Sequence, residues 1–168
     1  MAELLNSKLQ PCLLDRLTDT EPRNQRESIE DRTFSFDRYR RSVIRDLQML
    51  MNTPRPEFEE NVLEDCSQLA SSVLNYGVQN LCGRVSNGLD LNELSRNLRK
   101  AISVYEPRIN AASLRVEAVI DPWKQTGNEL TFKVTGDLWA NPLPRELIVL
   151  TSLDLETGNI TLSEPKGI

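Results

Sequence analysis

The feature that most constrains the fold is a change of hydrophobic period on the two sides of Glu106-Pro107-Arg108. Before this tripeptide apolar residues recur at helical spacing, and after it apolar and polar residues alternate as in a β-strand. Proline lacks a backbone donor and disfavours helical geometry in the residue before it, so we expect the helix to end at Tyr105 or Glu106. Residues two apart in an extended chain point the same way. Glu106 and Arg108 should therefore project together, as an exposed acid and base at a rigid corner, which is either a helix stop with two solvated charges or a functional site.

Three helices are predicted before residue 107. The first covers residues 37–51 and is capped by Ser35 or Asp37. The second runs roughly over 61–74, and Gly77 suits its C-terminal cap. The third begins at Asp90, with an acidic residue three positions later as in a capping box.

Three arginines lie on the first helix, on the face opposite its apolar stripe: Arg38, Arg41 and Arg45. Such a basic ridge has two interpretations, a solvated face or a partner-binding surface. We carry both forward and include the three arginines among the candidate partner-binding residues.

After the corner, the period-two pattern predicts strands over 114–120, 130–138, 146–155 and 160–162. The connections between them are short, which is typical of an antiparallel meander. The fold class is therefore α+β, with about three helices packed on an antiparallel β-meander of three to four strands. The last hairpin, 147–162, should leave one strand at a sheet edge, which is either blocked by Pro142, Pro144 and Pro165 or open to a strand from another chain. A proline at Val149 or Thr151, whichever faces outward, is predicted to block such pairing.

The chain divides into three parts. Residues 1–33 form a polar N-terminal segment with short helical turns, which we expect to be flexible, because residues 18–33 are almost wholly polar. Residues 34–162 form a single α+β domain, and residues 163–168 a tail. A second Glu-Pro-Arg, at 21–23, has neither a helix before it nor a sheet after it, and we treat it as coincidence.

Composition excludes several classes of function. A net charge of -5 argues against a nucleic-acid binder, which would show a basic excess. The absence of histidine excludes histidine triads and histidine metal sites. No apolar run reaches the roughly 20 residues of a membrane span. The first ten residues lack a secretory pattern, so we expect a cytoplasmic protein with reduced cysteines and no cofactor or metal.

The residues of the chain give little support to a catalytic function. The remaining option is a pair of carboxylates for glycoside hydrolysis, with Glu106 as the acid. Arg108 beside it favours the ionised carboxylate, which is the wrong form for a proton donor. A second carboxylate does not stand out, and we predict no catalytic residue.

Five stretches, taken in order, resemble the TssE family, the baseplate-wedge subunits of bacterial type VI secretion systems. That family is related to a wedge protein of contractile-tailed phages once labelled a lysozyme. The resemblance covers roughly residues 12–162. Its stretches are Leu14-Asp15-Arg16-Leu17; Ser42-Val43-Ile44-Arg45-Asp46-Leu47 with Leu50-Met51-Asn52-Thr53; Ser72-Val73-Leu74-Asn75-Tyr76-Gly77; Tyr105-Glu106-Pro107-Arg108; and Leu153-Asp154-Leu155-Glu156-Thr157-Gly158.

The resemblance implies a structural subunit. Family members sit in the baseplate with TssF, TssG and TssK, beside the inner tube, and are thought to seed a sheath of TssB and TssC. Their Glu-Pro-Arg motif corresponds to Glu106, Pro107 and Arg108, which would dock on the TssF/TssG core bundle. Charge reversal at Glu106 or Arg108 is then predicted to abolish secretion and leave the domain folded. The alternatives are a peptidoglycan hydrolase and a cytosolic adaptor that uses the same fold.

Overall fold

The structure is a computed structural model that describes residues 9, 12–18, 35–58, 65–83, 89–119, 129–140 and 143–165. Predictions for other residues, including the second Glu-Pro-Arg at 21–23 and most of the segment 1–33, lie outside these ranges. The described part contains three helices and a four-stranded antiparallel sheet, which confirms the α+β class. Its elements are α1 (Leu13–Leu17), α2 (Phe36–Met51), α3 (Leu91–Tyr105), β1 (Arg115–Val119), β2 (Glu129–Leu138), β3 (Arg145–Asp154) and β4 (Ile160–Ser163).

Helices α2 and α3 begin where their caps predict. The Ser35 hydroxyl accepts a hydrogen bond from the Arg38 backbone N–H, and the Asp90 carboxylate accepts two, from Asn92 and Glu93. Each cap satisfies donors that have no partner inside the helix. The buried apolar residues of α2, including Val43 and Leu47, all belong to the predicted stripe, which confirms the helical period, and Ser42 is buried beside them. Within the described residues, no helix combines the length and the apolar character that crossing a bilayer requires.

The predicted helix over 61–74 is wrong from residue 66 onward. Two short 3₁₀ turns, Leu69–Ser71 and Val73–Asn75, stand in its place. Ser72 separates them, because its extended backbone and its hydroxyl bond to the Leu74 N–H compete with helical hydrogen bonding. Val73 and Leu74 consequently point to solvent.

The sheet is the predicted meander, with strand order β1-β2-β3-β4. Its buried face alternates along each long strand, and the register pairs Phe132 with Thr151 and Val134 with Val149. Helix α3 packs against β1, and α2 packs against β4. The core therefore lies between one face of the sheet and these two helices.

The proline positions chosen from the sequence are wrong. Val149 and Thr151 lie on β3, which is paired on both sides, and both side chains are buried. Strand β4 forms the edge after β3, which confirms that the last hairpin leaves one strand there. The outward backbone of Ile160 is already satisfied, because the Asn52 amide donates to its carbonyl at 2.8 Å and accepts from its N–H at 2.9 Å.

Replacing Asn52 by alanine is expected to lower the free energy of unfolding by about 2 kcal/mol, since each hydrogen bond contributes about 1 kcal/mol. Both bonds to Ile160 join the end of α2 to β4, so their loss separates two elements far apart in the chain. Urea denaturation followed by circular dichroism measures the change. Gln48→Ala, one turn earlier at an exposed position, is the control and should change stability by less than about 0.5 kcal/mol.

Candidate partner-binding site

The corner after α3 is fixed by backbone hydrogen bonds. The Glu106 N–H donates to Ile102 at 2.9 Å and closes the helix, as the proline predicts. The Arg108 carbonyl then accepts a bond of 2.8 Å from Trp139, at the end of β2. The segment 106–108 is thus held at both ends by regular structure.

Glu106 and Arg108 meet, but they are not exposed. Two nitrogens of Arg108 donate hydrogen bonds to the Glu106 carboxylate. Nε lies 2.6 Å from Oε1, and Nη2 lies 2.5 Å from Oε2. Glu106 is 3% exposed, which corrects the expectation of an acid and base presented to solvent. A carboxylate this deeply buried is stable only with a close, hydrogen-bonded partner. Pro107 between them is exposed.

Helix α2 supplies the remaining partners of Arg108. Its Nη2 lies 2.6 Å from Asp46 Oδ2, and its Nη1 donates to the Ser42 hydroxyl at 3.1 Å. Ser42 and Asp46 are four residues apart, so they share one helix face. Burial alone would lower the pKa of Arg108, but its bonds to Glu106 and Asp46 raise that pKa above its ordinary value. The guanidinium therefore remains charged.

The charges continue to the N-terminal helix. Arg45 contacts Asp46 at 2.7 Å and Asp15 of α1 at 2.6 Å. Burial by itself would raise the pKa of Asp15, but hydrogen bonds from the Cys12 thiol and from Arg45 hold it below its usual range. Five charges therefore alternate in sign, from Glu106 through Arg108, Asp46 and Arg45 to Asp15. We call them the charge chain.

The three arginines of the predicted ridge differ in their contacts and in their exposure to solvent. Arg45 is in the charge chain, and its side chain is 39% exposed. Arg41 is exposed, and its Nε donates to the Asp37 carbonyl one turn earlier. Arg38 is half-buried near the start of α2. Their partner-binding role stays a prediction.

A pocket of about 420 Å³ opens beside the charge chain. Asp46, Glu106 and Arg108 form its charged wall, and Tyr76 and Tyr105 form an aromatic wall with ring centroids 5.2 Å apart. Burial, and the charges of Asp46 and Glu106, raise the pKa of Tyr76.

Sequence reasoning missed Ser42, Asp46 and Asp15 as members of the site. Ser42 and Asp46 carried a usable signal, since two polar residues four apart beside a buried stripe predict a polar contact at the helix margin. Asp15 carried no such signal, because nothing in the spacing between residues 15 and 45 indicates that they meet.

Residues 37–143 match the model of the family described as baseplate wedge protein gp25. The chain belongs to this family of baseplate wedge proteins. The match spans most of the chain and includes α2, α3, the corner and the first two strands of the sheet. It indicates a structural role of the kind found in phage baseplates. No curated protein and no solved structure matches the chain.

The matched range of this wedge protein contains most of the charge chain, from Arg45 to Arg108. Asp15 lies before the range, and so does the rest of α1. The wedge domain therefore contributes four of the five alternating charges, and the N-terminal segment supplies the fifth.

Proposed function

We propose that this wedge protein is a baseplate subunit of a type VI secretion system, where it links the wedge core bundle to the contractile sheath and seeds sheath assembly. Its partners would be TssF, TssG and TssK in the baseplate and TssB and TssC in the sheath, with the inner tube nearby. Its location would be the cytoplasm, in a baseplate docked at the inner face of the cytoplasmic membrane. No nucleic acid takes part.

The observation that carries this proposal is the wedge-family match over residues 37–143. The secretion-system assignment rests in addition on the five stretches that resemble TssE, two of which, 14–17 and 153–158, lie outside that match. The corner favours a structural role over a catalytic one, because both oxygens of Glu106 accept hydrogen bonds from Arg108 and are not available to a substrate.

Affinity purification tests the baseplate assignment. The tagged full chain is isolated from cells that carry an intact secretion apparatus, and TssF and TssG are expected among the bound proteins. A tagged unrelated cytoplasmic protein of similar charge serves as the control. Purification without TssF and TssG, from lysates in which both are present, would contradict the proposal.

Strand β4 is the edge that we assign to the sheath. Since Asn52 occupies the outward backbone of Ile160, the next outward N–H along the strand is that of Leu162. An incoming sheath strand would therefore pair from Leu162 onward, with backbone hydrogen bonds setting its register.

Leu162→Pro is expected to stop sheath elongation without removing the baseplate, because it deletes this outward N–H and no hydrogen bond to β3. Leu162→Ala is the matched control, since it also shortens the side chain but keeps the N–H. Fluorescent sheath in living cells provides the measurement. Normal elongation from the proline variant would rule out strand addition at β4.

A further inference from the structure

A second pocket, of about 370 Å³, lies between α3 and the sheet. Helix α3 packs against β1, but the described lining of the pocket comes from β2, β3 and β4 and includes no residue of β1. The end of α2 and residues 70–82 complete its walls. A pocket of this size accommodates a small organic molecule.

The pocket reaches from the surface into the hydrophobic core. Its floor is formed by buried apolar side chains, which are Met51, Leu94, Phe132, Leu153 and Ile160. Its mouth is formed by exposed polar side chains, which include Arg55, Asn80, Asn97 and Lys100. A molecule that enters from solvent can therefore bury an apolar body against the core.

The lining also holds a buried acceptor that has no donor. Asn75 is 6% exposed, and its Nδ2 donates to the Ala70 carbonyl at 3.1 Å, which fixes the orientation of the amide. Its Oδ1 is buried and accepts no hydrogen bond within the described part of the chain. Because an unpaired buried acceptor lowers stability, the pocket favours a ligand that brings an N–H or O–H group.

The hydroxyl groups of the described lining do not serve this acceptor. The Thr151 hydroxyl donates to a carbonyl of β2 at 3.2 Å, and the Tyr105 hydroxyl donates to the Ser72 carbonyl at 3.0 Å. The Thr157 hydroxyl donates to the Asp154 carboxylate at 2.8 Å. An ordered water needs two to four polar partners, which the apolar floor does not supply.

The charges at the mouth restrict the ligand further. The described lining contains the cations Arg55 and Lys100 and no carboxylate, although the whole chain has a net charge of -5. Both cations are exposed, so they repel a basic ligand and attract an acidic one in a salt-dependent way.

We propose that this pocket is a binding site for a small apolar molecule, neutral or acidic, that carries one N–H or O–H donor. The apolar body lies against Leu94 and Phe132, and the donor bonds to Asn75 Oδ1. The bound molecule contacts α3, residues 70–82 and the sheet at once, so it stabilises the folded chain. The site does not depend on the proposed function, because all of its features belong to this chain.

Indole is the probe, because it combines an apolar ring system with a single N–H donor. Titration of the purified full chain, followed by ¹H–¹⁵N NMR, should show saturable binding at one site and a shift of the Asn75 side-chain amide. Benzofuran has the same shape without the N–H and should bind at least about fivefold more weakly, since it leaves the buried acceptor unpaired. Absence of indole binding, or equal affinity for the two compounds, would overturn the inference.

The position of the site is tested by filling the pocket. Ala101 lines it from α3, so the ring of Ala101→Phe should occupy the space and abolish indole binding. Ser103→Phe is the matched control, because Ser103 is exposed on the same helix and lies outside the described lining. Indole should raise the melting temperature of the wild type and of Ser103→Phe but not that of Ala101→Phe. Undiminished binding by folded Ala101→Phe would overturn the site, and if this variant does not fold, the benzofuran comparison in the wild type still decides.

The charge of the ligand is tested with two indole derivatives of similar size. Indole-3-propionate, an anion, is expected to bind more tightly than tryptamine, a cation. The double variant Arg55→Gln/Lys100→Gln should reduce this difference, and so should a higher salt concentration. Tighter binding of tryptamine to the wild type would overturn the assignment of a neutral or acidic ligand.

Discussion

Replacing Arg108 with methionine is expected to lower the free energy of unfolding by about 3 kcal/mol, the usual scale for breaking a buried ion pair. The change leaves Glu106, which is 3% exposed, as a buried charge without its bidentate partner. It also removes the bonds from Arg108 to Ser42 and Asp46 on α2. Urea denaturation followed by circular dichroism measures the loss as a lower midpoint at an unchanged m-value.

Two variants test whether the burial of the Glu106 charge causes the loss of stability in Arg108→Met. Arg45→Met removes the ion pairs to Asp15 and Asp46 from an arginine side chain that is 39% exposed, so it should cost less than Arg108→Met. The double variant Glu106→Gln/Arg108→Met also removes the buried, unpaired charge of Glu106. It should therefore recover part of the free energy of unfolding that Arg108→Met loses. Wild-type stability in Arg108→Met would contradict the buried pair and restore the exposed corner that the sequence predicts.

These expectations revise how mutations at the corner are interpreted. From the sequence, charge reversal at Arg108 was expected to leave the domain folded, whereas the structure places that charge between Glu106 and Asp46. Loss of a partner in such a variant therefore reports partner contact only if the variant's stability is measured alongside it.

Gly77→Ala is expected to cost about 3 kcal/mol or more, through backbone strain and a steric clash. Gly77 has φ of +122°, and an added Cβ would lie 2.4 Å from the Thr53 carbonyl oxygen and 2.9 Å from the Arg55 nitrogen. The same Thr53 oxygen accepts a bond from Val78, and the Arg55 N–H donates to the Val78 carbonyl. The methyl group would therefore force apart the two segments that these hydrogen bonds join.

Gly83→Ala measures the cost of the backbone strain without the steric clash that alanine would make at Gly77. Gly83 has φ of +76°, but an added Cβ there meets no atom within 4 Å. Its cost should be about 1 kcal/mol, the penalty for left-handed backbone alone. Equal melting temperatures for the two alanine variants would show that close packing at Gly77 does not matter.

The elements that the sequence predicts well are those governed by local rules. The caps of α2 and α3, the end of α3 at the proline and the meander all follow from spacing within a few residues. The prediction for segment 66–75 is wrong because its apolar spacing indicates a helix, whereas Ser72 ends the first 3₁₀ turn and caps the start of the second through its bond to the Leu74 N–H.

The site was predictable in part for the same reason. Glu106 and Arg108 are two residues apart, so local geometry brings them together. Their burial depends on α2, whose Asp46 lies 62 residues before Arg108. No local sequence pattern indicates that these two residues are in contact. Asp15 and Arg45, 30 residues apart, illustrate the same limit.

The hydrogen bonds between Asn52 and Ile160 also have a consequence for the order in which a growing chain can fold. Helix α2 is made early, but the residue that secures its end comes 108 positions later. At about 5–20 residues per second, the ribosome needs roughly 5–20 s to supply that residue. The neighbouring strands of the meander can pair as they emerge, whereas α2 cannot bond to β4 until Ile160 has been synthesised. A partner that recognises the contact between α2 and β4 therefore meets it only after Ile160 has been added to the chain.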